Sequence, residues 1–386
     1  MVKDRTIPFS LPFIGDEEIN EVVATLKSGW LTTGKKAAEF EYELKKYTGS
    51  HCAVVVSSCT AALHLALKAL DIGAGDEVIT TPFTFISTIE AIIHVGATPV
   101  LVDIQDDTMN IDPEKIDEKI TDKTKAILPV HYAGHPCDMD EIFAIAKKYN
   151  LKVIEDAAHA IGAHYKGTAI GVLPSDATCF SFYATKNLST GEGGALLTDC
   201  EQLAKHARIL SLHGITKDAW ARYGEETSWK YELRDIGFKY NLTDIQAVIG
   251  IQQLKKLDAM NKARCEHVNT YNEIFGKVKD VRVPQERPYV NSACHLYPLR
   301  ITSKNGAHKR DTVIEELKRR KIGVSVHFIP ACSFAIMQEQ FGFKEEDYPV
   351  TMKVFSEVLS LPLYSQMESS DVVYVAKIVK EIVEGL

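Results

Sequence analysis

Between residues 50 and 200, short unbroken apolar runs alternate with segments in which apolar residues recur every three or four positions. HCAVVVSS, DEVIT, TPVLVDI, KAILPV and KVIEDA have the first character and predict strands. TAALHLALKAL, residues 84–94, DPEKIDEKI and MDEIFAIAKKYN have the second and predict helices between them. Strands that are apolar on both faces and joined by helical crossovers make a mostly parallel central sheet covered by helices, an α/β class. ATCFSFYA and GALLTD continue the strands, with a helix over residues 201–210, and EEINEVVATLKS predicts a helix ahead of the whole series.

A long helical pattern follows over residues 243–275, with Ile245, Val248, Ile249, Gln252 and Leu257 spaced for one buried face. HLYPLRI (strand), DTVIEELKRR (helix), GVSVHFI (strand) and DVVYVAKIVKEIVEGL (helix) then describe a smaller α+β unit. The expected division is a large domain over 1–255, with its N-terminal segment, and a small C-terminal domain over 256–386. No Ser/Gly-rich linker separates them, so the two are expected to pack together.

Composition narrows the possibilities without choosing one. A chain of 386 residues is long enough for two or three domains. Its 52 acidic against 44 basic side chains leave a charge of −8, which disfavours a nucleic-acid polymer as partner. No apolar run approaches the roughly 18 residues of a membrane span, and MVKDRTIPFSLPFIGDEEI lacks an export signal's apolar stretch. A soluble cytoplasmic protein is expected. The eight cysteines include no two within four positions, so zinc knuckles and C-x-x-C redox pairs are excluded and free thiols are expected.

Gly29 to Lys36 imitates a phosphate loop, but Lys36 stands where a hydroxyl is needed and a helix precedes it in place of a strand. Three other segments carry more chemistry. Val56-Ser57-Ser58-Cys59-Thr60-Ala61-Ala62 takes a strand into a helix through small residues, either as a plain helix cap or as a phosphate cradle. Asp156 ends a buried strand, where open α/β sheets bind ligands, while Glu155 faces the other way by the period of two. Lys186 lies in SFYATKNLSTGEGG, between two strands: either an exposed loop lysine or an amine made nucleophilic by desolvation. A phosphate cradle, a strand-end carboxylate and a lysine are the three handles that pyridoxal phosphate requires.

With EDAAHAIGAHYKG, SFYATKN…GEGG, KYNLTDIQA and SGWLTTG, the chain resembles the DegT/DnrJ/EryC1/StrS family of sugar-nucleotide aminotransferases over nearly its whole length. The resemblance implies a fold-type-I enzyme, α/β with a smaller α+β C-terminal domain, dependent on pyridoxal 5'-phosphate and using no metal. Lys186 matches the lysine that condenses with the cofactor aldehyde and shuttles the proton. Asp156 matches the partner of the ring nitrogen, and His159, where many relatives have Gln, a neighbour of the phenolic oxygen. Phe85 matches the aromatic stacked on the ring; Thr60, Ala61 and Ser181 match phosphate contacts. Asn241 matches a residue that reaches the phosphate of the partner subunit, which implies a homodimer with shared sites. Trp30, Thr32, Glu192 and His327 fall in segments that line the sugar pocket of relatives. L-glutamate/2-oxoglutarate and a keto-sugar nucleotide, here closest to UDP-linked 4-keto sugars, are the implied substrates.

His131, Tyr132 and His135 are read as supporting residues behind the site, for want of a carboxylate or thiol at metal-ligand spacing. A same-fold dehydratase would carry His in place of Lys186. A desulfurase would need a mobile nucleophilic cysteine, for which Cys332 is the one candidate; a non-catalytic sugar-nucleotide sensor would not need the Lys186–Asp156 pair.

Overall fold

The structure, a computed structural model, describes residues 6–216, 231–302 and 306–385. Helices α1 (Asp16–Ser28) and α2 (Lys35–Thr48) precede β1 (Cys52–Val56), α3 (Cys59–Ala69), β2 (Glu77–Thr80), α4 (Ser87–His94), β3 (Thr98–Leu101), β4 (Thr124–Ile127), α5 (Met139–Tyr149) and β5 (Lys152–Asp156). β6 (His164–Tyr165) and β7 (Thr168–Ala169) turn aside before β8 (Ala177–Ser181), β9 (Gly194–Thr198) and α6 (Glu201–Ser211). The central sheet has the order β1-β9-β8-β5-β4-β2-β3. Only β9 runs against its neighbours, pairing antiparallel with β1 and β8. Both faces are covered, as the apolar runs require: Phe40, Phe180, Phe182 and Leu257 fill one side, Leu63, Leu65, Leu203 and Leu210 the other.

Helix α7 (Asp244–Phe275) begins at Thr243, whose hydroxyl accepts from the Gln246 N–H while Gln246 reaches back to the Thr243 N–H. Beyond it lie β10 (Val281–Arg282), β11 (Val290–Asn291), β12 (Tyr297–Ile301), α8 (Gly306–Arg319), α9 (Ala335–Phe341), α10 (Pro349–Glu357), β13 (Val358–Leu361) and α11 (Ser369–Gly385). β10, β12 and β13 form a second sheet, and β11 joins β6 and β7 in a third. The first half of α7 packs in the large core, while Tyr271 and Phe275 enter a separate core with Tyr297, Leu317 and Val379. Ile7 belongs to this second core, bridged to Ile322.

Three local expectations need correction. DPEKIDEKI is not an α-helix but two three-residue 3-10 turns, Pro113–Lys115 and Asp117–Lys119. GVSVHFI is not a ladder strand; it makes an isolated bridge at Ser325, next to another at the preceding Ile322. On α7, Val248 and Leu257 of the expected face are buried, but Ile245, Ile249 and Gln252 are only half-buried, and the buried face runs also through Ala247, Gly250, Ile251 and Leu254. Gly250 explains the rotation, because a Cβ there would lie 2.4 Å from the Phe40 ring. Among the described residues no helix is long and apolar enough to cross a membrane.

Candidate active site

β1, β5 and β8 point the same way, so their carboxyl ends share one edge of the sheet, and β9 starts there. Residues 57–60, Asp156, Ser181 and Gly194 converge on that edge, as expected for an open α/β sheet. Ser58, Cys59, Thr60, Asp156, Ser181 and Gly193 line a cavity of about 470 Å³ whose other wall includes His327, Phe328, Leu361 and Leu363. Of the predicted site residues, Thr60, Phe85, Asp156, His159, Ser181, Lys186, Glu192 and His327 line it.

The Asp156 carboxylate is buried, accepting from the Thr88 hydroxyl at 2.8 Å and the Ala158 N–H at 3.1 Å. Burial pushes its pKa up, against the two hydrogen bonds and the Lys186 charge. No described cation forms an ion pair with it. Lys186 is half-buried at the cavity floor, and desolvation there lowers its amine to about 8. Glu155 turns to the opposite face, as the strand period predicts, taking hydrogen bonds from Ser175 and Thr178 and pairing with His131 at 2.7 Å.

Three further histidines complete the polar wall. His159 Nδ1 accepts from the Ala133 N–H at 3.3 Å, and burial holds its pKa well below the ordinary value. His327 meets the Ser360 hydroxyl at 2.9 Å, its pKa lowered to about 4 by burial and then by Lys186. Tyr132 and His135 lie outside the cavity: the Tyr132 hydroxyl donates to the His327 carbonyl at 2.7 Å, and His135 is held by Pro136 and Arg287 backbone. The third lining histidine, His295, belongs to no motif and escaped the sequence reading, as did Phe328, stacked on His159. Cys332 is buried with its thiol pushed up to about 12, unlike a mobile nucleophile.

Phe85 is exposed at the cavity mouth, its ring 6.0 Å from Phe328. Ala61 is buried behind the wall, its N–H donated to the capping Ser58 hydroxyl at 3.0 Å. Trp30, Thr32 and Asn241 are not in the cavity. They gather instead around Thr33: Asn241 donates to its hydroxyl at 2.6 Å and Trp30 Nε1 to its carbonyl at 3.3 Å. Thr32 accepts beside them from the Asp244 N–H.

The model of the DegT/DnrJ/EryC1/StrS aminotransferase family matches residues 12–380. The chain belongs to this aminotransferase family. It is 50% identical, over all of both chains, to the spore coat polysaccharide biosynthesis protein SpsC of Bacillus subtilis. Its structure matches the sugar-aminotransferase candidate Spr1654 of Streptococcus pneumoniae in its PMP form, at a TM-score of 0.92 and 37% identity over 98% of this chain and 99% of that one. PseC of Helicobacter pylori, an aminotransferase involved in pseudoaminic acid biosynthesis, matches at 0.92 and 28% identity, covering 99% of this chain and all of the other. The enzyme is thus a fold-type-I aminotransferase with pyridoxal phosphate as its cofactor.

The residues present in the aminotransferase fit that cofactor. Ser58, Cys59 and Thr60 at the start of α3 line the cavity, and a helix N-terminus there suits a phosphate. β9 can run beside it only through glycine, because a Cβ on Gly194 would fall 2.4 Å from the Ser58 carbonyl carbon. The buried Asp156 carboxylate, without a charged protein partner, suits a protonated ring nitrogen. Lys186 supplies an amine that is substantially neutral near pH 8.

Proposed function

We propose that the enzyme transfers an amino group from L-glutamate to a keto-sugar nucleotide, a UDP-linked 4-keto sugar, in the cytoplasm. The product would serve as precursor of a cell-surface glycan, lipopolysaccharide included. The meeting of Lys186 and Asp156 in one cavity carries the reading; the polysaccharide role in the name of SpsC supports the sugar class.

Pyridoxal phosphate, when bound, supplies an electron sink that makes the donor's α-hydrogen acidic. Asp156 holds the proton on the ring nitrogen. Lys186 would remove the donor's α-proton as general base and deliver it to the C4′ carbon of the cofactor as general acid. His159, neutral and accepting through Nδ1, keeps its hydrogen on Nε2 for the phenolic oxygen. Phe85 would cover the ring, Thr60 and Ser181 would serve the phosphate, with Ala61 behind them tied to the Ser58 cap, and Glu192 and His327 would face the sugar. The apolar side of Phe328 and Leu363 excludes water.

A homodimer with shared sites accounts for the cluster of Trp30, Thr32 and Asn241 away from Lys186 of the same chain. α1 supports it, since it buries Glu18 and Thr25 and leaves Ile19, Val23 and Leu26 exposed. The division of the chain is placed inside α7, near residue 255.

The test is spectroscopic. Adding L-glutamate to the cofactor-loaded protein should bleach the visible band of the lysine-bound cofactor. A panel of UDP-, dTDP- and GDP-linked 3- and 4-keto sugars should then restore it, fastest with a UDP-4-keto sugar. A band unchanged by glutamate and by other amino donors would refute amino transfer.

A further inference from the structure

His295 lines the cavity and packs against His159 with ring centroids 4.4 Å apart and the planes inclined at 35°, yet none of the roles above uses it. Its proton can be placed from the hydrogen bonds behind it. Asn187 Nδ2 spends both hydrogens, on the Ala293 carbonyl at 2.6 Å and on Asn261 Oδ1 at 2.8 Å. The Asn261 amide is fixed in turn, because its Nδ2 donates to the Ile161 carbonyl at 3.1 Å. Asn187 Oδ1 therefore accepts, and the group 2.8 Å from it, His295 Nδ1, carries the hydrogen. Among the described residues nothing donates to His295 Nε2. The imidazole is neutral, since burial holds its pKa well below the ordinary value.

The two neighbouring rings thus have opposite tautomers, His159 bearing hydrogen at Nε2 and His295 at Nδ1. One residue registers both: the Ala133 backbone N–H donates to His159 Nδ1, and the Ala133 carbonyl accepts from the His295 backbone N–H at 3.0 Å. Asn187 follows Lys186 in sequence, so the chain that orients His295 is anchored beside the reactive amine.

We infer that His295 is a substrate-binding residue, an uncharged acceptor locked in one tautomer by Asn187 and Asn261 for the primary amine that enters beside Lys186. The absence of charge is the point. An incoming amine must be unprotonated to attack, and a carboxylate in this place would favour the unreactive ammonium form. The inference rests on the amino-transfer reading.

Two variants separate binding from packing. His295→Phe keeps an aromatic ring packed on His159 without either nitrogen. His295→Gln keeps an N–H for Asn187 and an oxygen for the cavity. Nitrogen NMR of isotope-labelled histidine in the cofactor-free protein should show His295 with hydrogen on Nδ1 and Nε2 bare, unchanged from about pH 8 to about pH 5. Single-turnover bleaching by L-glutamate should slow about tenfold or more in His295→Phe, and His295→Gln should recover most of that loss. A proton on Nε2 would overturn the inference. So would a folded His295→Phe that reacts at the wild-type rate, or equal slowing in both variants. Should wild-type protein ignore every amino donor, amino transfer itself fails, and the NMR result still decides the tautomer.

Discussion

Glu155 and Asp156 are consecutive residues of β5 whose carboxylates leave the sheet on opposite faces and meet opposite surroundings. Glu155 is fully enclosed with Ser175, Thr178 and His131. Asp156 has hydrogen bonds from Thr88 and Ala158 but opens on the cavity, with no cation paired to it. The first is satisfied by the protein; the second waits for a ligand.

Asp156→Asn should therefore act in opposite directions on two forms of the protein. Burial raises the folded-state pKa of Asp156 above its unfolded value, so its ionisation destabilises the cofactor-free fold above that pKa. The cofactor-free variant should melt higher than wild type at neutral pH, with the gain shrinking as the pH falls and the wild-type acid takes up its proton. In the loaded enzyme the same change should slow bleaching by glutamate at least about a hundredfold. Differential scanning fluorimetry against pH and stopped-flow absorbance would check the two halves.

Lys186 should titrate near 8 in place of its usual 10.5. Only the neutral amine reacts, so recombination of pyridoxal phosphate with the cofactor-free protein should accelerate with pH and level off above about 8. A rate still rising beyond about pH 10, as for an exposed lysine, would contradict this. Lys186→Ala should lose a hundred- to ten-thousand-fold of the proton-transfer rate, by roughly the scale of general acid–base catalysis.

Glu155→Ala should unfold the protein far more readily than Asp156→Asn. It strips the acceptor from the Ser175 and Thr178 hydroxyls and from His131 Nε2–H, and each buried donor left unsatisfied costs about 1–3 kcal/mol. Thermal unfolding of the cofactor-free protein should show the drop, and His131→Ala combined with it should add less than its own separate effect.

Ile19→Glu with Leu26→Glu places two charges on the exposed apolar side of α1. Sedimentation should show a dimer for the wild type and a monomer for this variant. The monomer should keep its fold by circular dichroism and bind the cofactor more weakly. A wild-type monomer with full activity would remove the shared-site reading.

Much of the site could be read before the fold was known, for a physical reason. Asp156 and Lys186 are marked by local sequence: an apolar strand ending in an acid, and a lysine among small hydroxyl residues. Thr60 and Ser181 are marked as phosphate contacts only by the resemblance to family blocks. His295 was hidden because its meaning lies in Asn187 and Asn261, distant in sequence and joined to it only by tertiary hydrogen bonds. Trp30, Thr32 and Asn241 match family blocks, but their gathering at Thr33 is a matter of chain folding. The α7 face was misread in part because apolar residues occur on two sides of that helix. The choice between them was made by close packing of Gly250 on Phe40, which a periodicity cannot register. DPEKIDEKI has helical spacing but only Ile116 and Ile120 to bury, too little to offset the cost of nucleating a helix.

The cavity wall that includes His327, Phe328, Leu361 and Leu363 comes from segments made long after Lys186 and Asp156. On the ribosome, the lysine and the carboxylate emerge first and stand open to water until the second core, built on Tyr271, Leu317 and Val379, has closed over them. A nascent chain should consequently hold its vitamin-derived cofactor firmly only once synthesis has passed Leu363, which makes cofactor capture a late event in the birth of the enzyme.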